Sequence, residues 1–390
     1  MIDTALQRKI YRPSNLMELF YNSYALLKYV WKEILILSAV VLGPVYVLCG
    51  LVIKAASSTA IPQIRAFFES SQETSASFSS TFWPLYAKIM LFAILLSVIL
   101  MVAHVLVILA INLLAFRRIR GEVIGPKEAL KEALRFLPKV LLQKILLGLI
   151  ILGLSLAFGL GVALFAFISA LISPVLTGFL AVILYIAFIC FITKLVVSYS
   201  FAEQTILFEE STATESFAES ASLVRGSWWR VFGISMLVSI VVSFAAQLVS
   251  TPIITVSLLP ALNKIYEFIL SAQYGNADSA AAGAFLTQYM ESIQRVMPVL
   301  FLGQAVSVLI SMLFTPVFML LFYMDLRARK EPWKINSDAS AGELGSGLET
   351  RTANAEAGSL GEGEPPTVTP ETEAQGGKAP DMDTSNSQKE

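Results

Sequence analysis

Residues 145–171 read ILLGLIILGLSLAFGLGVALFAFISAL, and residues 175–199, past Ser173-Pro174, read VLTGFLAVILYIAFICFITKLVVSY. The first stretch has no charged side chain and the second has only Lys194. A hydrocarbon layer roughly 30 Å thick takes about 20 apolar residues at a rise of about 1.5 Å each. Each stretch is long enough to cross, and a helix is the one single-segment conformation that satisfies its own backbone in lipid. The pair reads as a transmembrane hairpin turning at Ser173-Pro174. Further windows of this kind lie near 34–53, 89–116, 231–258 and 297–324, giving an all-α membrane protein of six spans. Composition agrees: the 390 residues are 56% hydrophobic and 15% charged, with mean hydropathy +0.69. That balance excludes a water-soluble domain, whose polar shell needs more charge.

Arg8, Lys9, Arg12, Lys28, Lys32 and Glu33 are scattered among apolar residues before the first span, which is not the layout of a cleavable signal. The first span is expected to stay as an anchor. Cys49 and Cys190 fall in different spans and offer neither a disulfide framework nor metal-ligand spacing. Orientation follows from lysine and arginine near span ends. Arg117, Arg118, Arg120, Lys127, Lys131, Arg135 and Lys139 crowd the second connection, Arg225 and Arg230 precede the fifth span, and Arg327, Arg329, Lys330 and Lys334 follow the sixth. The longer connections at 54–88 and 259–296 hold only Lys54, Arg65, Lys88, Lys264 and Arg295. Both termini are therefore expected in the cytoplasm, with the chain in the inner (cytoplasmic) membrane of a bacterial cell. From Glu331 onward twelve acidic residues face four basic ones, a net of −8 against −1 for the whole chain, which leaves about +7 on the membrane part. The stretch 336–390 is rich in Gly, Ser, Pro, Thr and Glu and is expected to be a disordered acidic tail. The basic rim points to anionic inner-leaflet lipids as the partner, with other membrane proteins as further partners and no nucleic acid.

Three segments align without gaps ahead of the first, third and fifth spans: Met17-Glu18-Leu19-Phe20-Tyr21-Asn22-Ser23, Lys127-Glu128-Ala129-Leu130-Lys131-Glu132-Ala133 and Thr214-Glu215-Ser216-Phe217-Ala218-Glu219-Ser220. Each introduces one pair of spans, so the domain 1–335 divides into repeat units of about 15–120, 125–210 and 212–330. Apolar residues in these segments recur at helical spacing opposite Lys and Glu, as expected of helices lying in the headgroup plane. Each unit is then an interfacial amphipathic helix plus a transmembrane hairpin, with Pro138 and Gly226 where an elbow is needed. The alternative is that these helices simply prolong their spans.

The third unit carries Glu219-Ser-Ala-Ser-Leu-Val-Arg225-Gly226-Ser-Trp228-Trp229-Arg230-Val-Phe-Gly233, and the last span leaves through Phe322-Tyr323-Met324-Asp325-Leu326-Arg327-Ala328-Arg329-Lys330-Glu331. Over residues 15–335 the chain resembles the bacterial membrane domain that some proteins attach to glycerophosphodiester phosphodiesterases, and that also occurs alone. The resemblance implies six spans and no assigned activity. The phosphodiesterase chemistry it sits beside uses two histidines and a carboxylate-bound metal, and this chain has one histidine.

Among polar residues inside the spans, His104 stands out because an ionisable group in lipid is costly. Ser97 and Asn112 lie seven and eight positions from it and are candidates to share its face. The bland reading is a neutral imidazole bonded to a neighbouring helix. Ser235, Ser239, Ser243, Gln247 and Thr251 recur every four residues in the fifth span, as do Gly303, Ser307, Ser311 and Thr315 in the sixth. Such stripes either line a wet path or form a close-packed seam. Gly153, Ala157 and Gly161 repeat the device without hydroxyls, which favours packing. Arg225, Trp228, Trp229, Arg230, Lys131, Arg135 and Arg327 are candidates for lipid-headgroup contact, and Asp325 beside Arg327 suggests a local ion pair.

The sequence offers no catalytic, cofactor-binding or metal-binding motif: no phosphate-cradling Gly-Lys-Ser/Thr loop, no histidine pair at metal spacing and no Gly-x-Ser-x-Gly turn. A non-enzymatic membrane organiser or accessory protein is the expectation. The alternative is a small transporter or channel using the polar faces of spans 2, 5 and 6.

Overall fold

A computed structural model describes residues 7, 9–70, 75–170, 174–274 and 279–330. The chain divides into two units, 1–333 and 334–390. The second unit, and with it the expected disordered tail, lies outside the described residues. Within the first are the helices α1 (Leu16–Ser70), α2 (Ser75–Ile119), α3 (Pro126–Ala170), α4 (Pro174–Ser198), α5 (Ala202–Glu209), α6 (Glu215–Val224), α7 (Trp228–Gln273) and α8 (Ser279–Lys330), with no strand among the described residues. Among the described residues six stretches are long and apolar enough to cross a membrane: Leu16–Ser58, Tyr86–Ile119, Pro126–Phe167, Thr177–Glu209, Trp228–Gln273 and Ala284–Lys330. They are the stretches expected of a multi-pass membrane protein.

The helices outrun the apolar windows that located them. Hydropathy marks the part that suits lipid, whereas a helix continues as long as its backbone bonds are satisfied and no breaker intervenes. The connections 54–88 and 259–296 are therefore mostly helical. The second of them is packed, with Phe268 stacked on Phe285 at 4.3 Å and Lys264 bridged to Glu267 at 2.7 Å.

The three expected interfacial helices part company in the same way. Only the third, α6, is a separate element, turned off from α7 at Gly226, whose φ of +84° glycine adopts without strain. The first two are the opening turns of α1 and α3, and Pro138 sits inside an uninterrupted helix. There the prolonged-span alternative describes the backbone. The reason is packing: Leu19, Leu26, Ala129 and Ala133 are buried in the protein, so this face is taken by neighbouring helices.

The consecutive spans α1–α2, α2–α3, α3–α4 and α7–α8 pack together, and α8 returns to α1. Phe20 of α1 lies 5.0 Å from Phe318 of α8, and a Cβ on Gly50 would meet the α8 backbone at Pro298 at 3.2 Å. Such close approach is what glycine permits. A Cβ on Gly303 would lie 2.9 Å from Ile254 of α7, so the α7–α8 contact is as tight. The core is densest toward the lysine- and arginine-rich end, where Val317, Phe318, Leu320 and Phe322 of α8 are fully enclosed with Phe201, Ile111 and Leu114. By contrast, the most apolar windows of α3 and α4 contain no fully buried residue among those described. Leu152, Leu156, Leu160, Phe179, Val182 and Tyr185 are exposed, and the glycines at 153 and 161 face open space.

Candidate functional site

The buried carboxylates among the described residues, Asp325 and Glu203, lie toward the basic end of the bundle. Asp325, on the last turns of α8, is only 2% exposed. It accepts the Ser14 backbone N–H at 2.7 Å, the Arg230 guanidinium at 2.9 Å and the Arg329 Nε at 3.1 Å. Both arginines also donate to the Ser14 carbonyl, at 3.0 and 2.8 Å. One carboxylate thus ties the N-terminal segment, the first turn of α7 and the end of α8 into a closed circuit of charge-assisted bonds. Arg329 stands one helical turn beyond Asp325 and is set to reach it.

Arg327 does not pair with Asp325. Two residues apart on a helix is the wrong face, and Arg327 meets Glu209 at the end of α5 at 2.6 Å. The Tyr323 hydroxyl donates to the same Glu209 oxygen, and the Phe208 ring lies against Tyr323 at 5.9 Å. Glu210 closes α5 in a left-handed conformation with φ of 55°. Across this junction, burial and the neighbouring Glu209 carboxylate push the Glu219 carboxyl above its ordinary range, against the pull of Arg327. Burial similarly raises the Tyr11 phenol, against the attraction of Arg120.

The candidate residues within the spans separate into different environments. His104 accepts or donates at Nε2 with the Tyr46 hydroxyl of α1 at 3.2 Å, and its Nδ1 lies 2.7 Å from the Leu100 carbonyl. A neutral imidazole protonated at Nδ1 satisfies both contacts. Ser97 is exposed and donates back to Ala93 at 2.8 Å, so it does not join His104. Asn112 is fully buried. On α7 the buried face is Val231, Ile234, Val238, Val242, Ala246 and Ser250. The polar stripe is offset from it by one residue, about 100° round the helix, so Ser239, Ser243, Gln247 and Thr251 are exposed. Thr251 donates to Gln247 within the same helix at 3.2 Å. On α8, Ser307 is buried and Ser311, half-buried, donates to its carbonyl at 3.1 Å. The two stripes therefore do not face each other across a shared lumen.

The headgroup candidates divide too. Lys131, Arg135, Arg225 and Trp229 are exposed, while Trp228 is partly covered and donates from its indole to the Lys194 carbonyl at 3.4 Å. Arg230 and Arg327 are engaged in the ion pairs above.

Sequence reading missed Tyr46 and a polar group from two helices. Gln143 of α3 and Glu203, Gln204 and Thr205 of α5 are buried, and Lys144 reaches Glu203 at 3.2 Å. Their signal was adjacency: Gln143-Lys144 opens an apolar span and Glu203-Gln204-Thr205 closes one. Among the described residues no group of three or more His, Cys, Asp or Glu side chains is arranged to hold a metal ion.

A domain of unknown function (DUF7847) matches residues 45–326. The chain belongs to this family. The DUF7847 region runs from the middle of α1 to the end of the α8 span, so it takes in Tyr46, His104, Arg230 and Asp325 but stops short of Ser14 and Arg329. No curated protein and no solved structure matches the chain. The DUF7847 match carries no link to the phosphodiesterase-associated membrane domain.

Proposed function

We propose that this chain is a non-enzymatic membrane organiser or accessory protein of the bacterial inner membrane, with both termini cytoplasmic. The observation that carries the reading is the contrast between its two sides. Groups that a transport route would need to keep free are occupied: His104 by Tyr46 and Leu100, and Asp325 by Ser14, Arg230 and Arg329. Among the described residues, the most apolar windows of α3 and α4 hold no fully buried side chain, and the two helices meet in the stack of Phe158 on Phe188 at 4.1 Å. A rigid base with an uncovered pair of spans suits lateral docking of another membrane helix, for which Gly153 and Gly161 allow close approach. Lys131, Arg135, Arg225 and Trp229 supply the grip on anionic headgroups of the inner leaflet.

The likeness of the Glu219–Gly233 and Phe322–Glu331 patterns to the phosphodiesterase-linked membrane domain supports a shared architectural role. The transporter alternative draws its support from the polar stripe on α7. That support is weak, because the stripe turns away from α8.

The test is cross-linking in native membranes. Cysteine at Leu156 of α3, in a background with Cys49 and Cys190 replaced by serine, should give discrete oxidative or bifunctional adducts to another membrane polypeptide. Cysteine at the enclosed Leu114 should give none. Absence of adducts along α3 and α4 would leave these faces to lipid and remove the docking half of the reading.

A further inference from the structure

Nine buried side-chain polar atoms have no hydrogen-bond partner among the described residues, and five of them belong to four residues at the junction of α2, α3 and α5. These are Nδ2 and Oδ1 of Asn112, and the Oε1 atoms of Gln143, Glu203 and Gln204. The residues are 0, 1, 6 and 5% exposed. Two contacts set their register. Phe116 of α2 lies 4.4 Å from Phe208 of α5, and Lys144 of α3 lies 3.2 Å from Glu203. Phe201 meets Phe322 while Glu209 reaches Arg327, so α5 runs in the sense of α8, and alternate spans of a bundle run alike, α2 included. One turn back from the Phe116–Phe208 pair, Asn112 and Gln204 stand on the facing sides of their helices.

A buried polar atom without a partner costs about 1–3 kcal/mol, so five at one junction point to a ligand. Glu203 fixes its sign: amide groups can be turned to offer oxygen or nitrogen, but a carboxylate oxygen only accepts. Lys144 engages the other carboxylate oxygen, so a single acidic group, already balanced, faces the site. A divalent ion would call for more carboxylate charge than this. The neutral amide oxygens suit a small hard monovalent cation.

We propose that Asn112, Gln143, Glu203 and Gln204 form a binding site for a small monovalent cation, sodium in the first instance, that joins α2, α3 and α5. The site is independent of the organiser reading.

The experiment is thermal unfolding of the full-length detergent-solubilised protein in sodium, potassium or N-methyl-D-glucamine chloride at equal ionic strength, with sodium NMR line broadening as a second readout. Sodium should raise the midpoint by several degrees over the organic cation, saturably, and the protein should broaden the sodium line. Glu203→Gln should remove both effects, as should Asn112→Leu, which keeps the branched shape without the polar atoms. Equal midpoints in the three salts with no broadening in the wild type would mean ordered water only and would overturn the proposal. The wild-type arms decide it even if neither variant folds.

Discussion

Replacing Asp325 with asparagine keeps the shape and one acceptor for the Ser14 N–H but removes the charge on which Arg230 and Arg329 converge. Breaking a fully buried ion pair from one side costs about 3–5 kcal/mol. Here the arginine side chains are 28% and 36% exposed, so water partly compensates the orphaned guanidiniums. With charged hydrogen bonds at about 1.5–3 kcal/mol each and one acceptor retained, Asp325→Asn should cost about 2 kcal/mol. Asp325→Leu, which also strands the Ser14 amide, should cost about 4 kcal/mol. Reversible unfolding in mixed micelles measures the change. Hydrogen exchange should show the Ser14 amide opening before the spans do, because only this carboxylate holds it. Arg230→Gln combined with Asp325→Asn should cost less than the sum of the two. A loss below about 0.5 kcal/mol for Asp325→Asn, with the Ser14 amide still protected, would refute the reasoning.

Gly303→Val puts methyl groups where a bare Cβ is already 2.9 Å from Ile254, and should destabilise by about 1–3 kcal/mol in the same unfolding assay. Gly153→Val meets nothing in the chain and should leave stability nearly unchanged. His104→Leu should leave the protein inserted and folded, at a cost of about 1 kcal/mol for the lost bond to Tyr46, read from the same curves. For Glu219 the folded carboxyl titrates above its ordinary 4.5, so the native state holds more protons than the unfolded one in that window and stability falls as pH rises through it. Glu219→Gln should therefore unfold later than wild type at pH 7, and the difference should shrink as the pH is lowered through 4.5, checked by midpoints across the range.

The spans were legible because lipid imposes one rule, a run of apolar residues, and residues 145–171 and 175–199 obey it with Lys194 as their one charged side chain. Helix ends were not, because the continuation of α1 to Ser70 depends on backbone bonding that hydropathy does not report. Pro138 misled for a related reason: a proline in a helix deletes one backbone bond, which the packed Ala129 and Ala133 beside it outweigh. At the candidate site, His104 was visible as a lone ionisable residue. Tyr46, fifty-eight positions away, was hidden among ordinary aromatic residues. Asp325 was visible, but its partners were assigned by sequence adjacency, and the nearest arginine faces Glu209 instead. The Asn112–Gln204 junction is beyond single-helix reasoning because its residues come from three elements.

The central claim is that the bundle is a closed support rather than a conduit, and flux through reconstituted protein tests it most directly. Proteoliposomes holding a pH-sensitive dye, given an acid step and a potassium-valinomycin potential, report proton movement under a driving force. The account predicts equilibration no faster than in protein-free liposomes, for wild type and His104→Leu alike. Protein-dependent proton flux in the wild type that His104→Leu abolishes, with the variant still folded, would contradict it and favour the transporter.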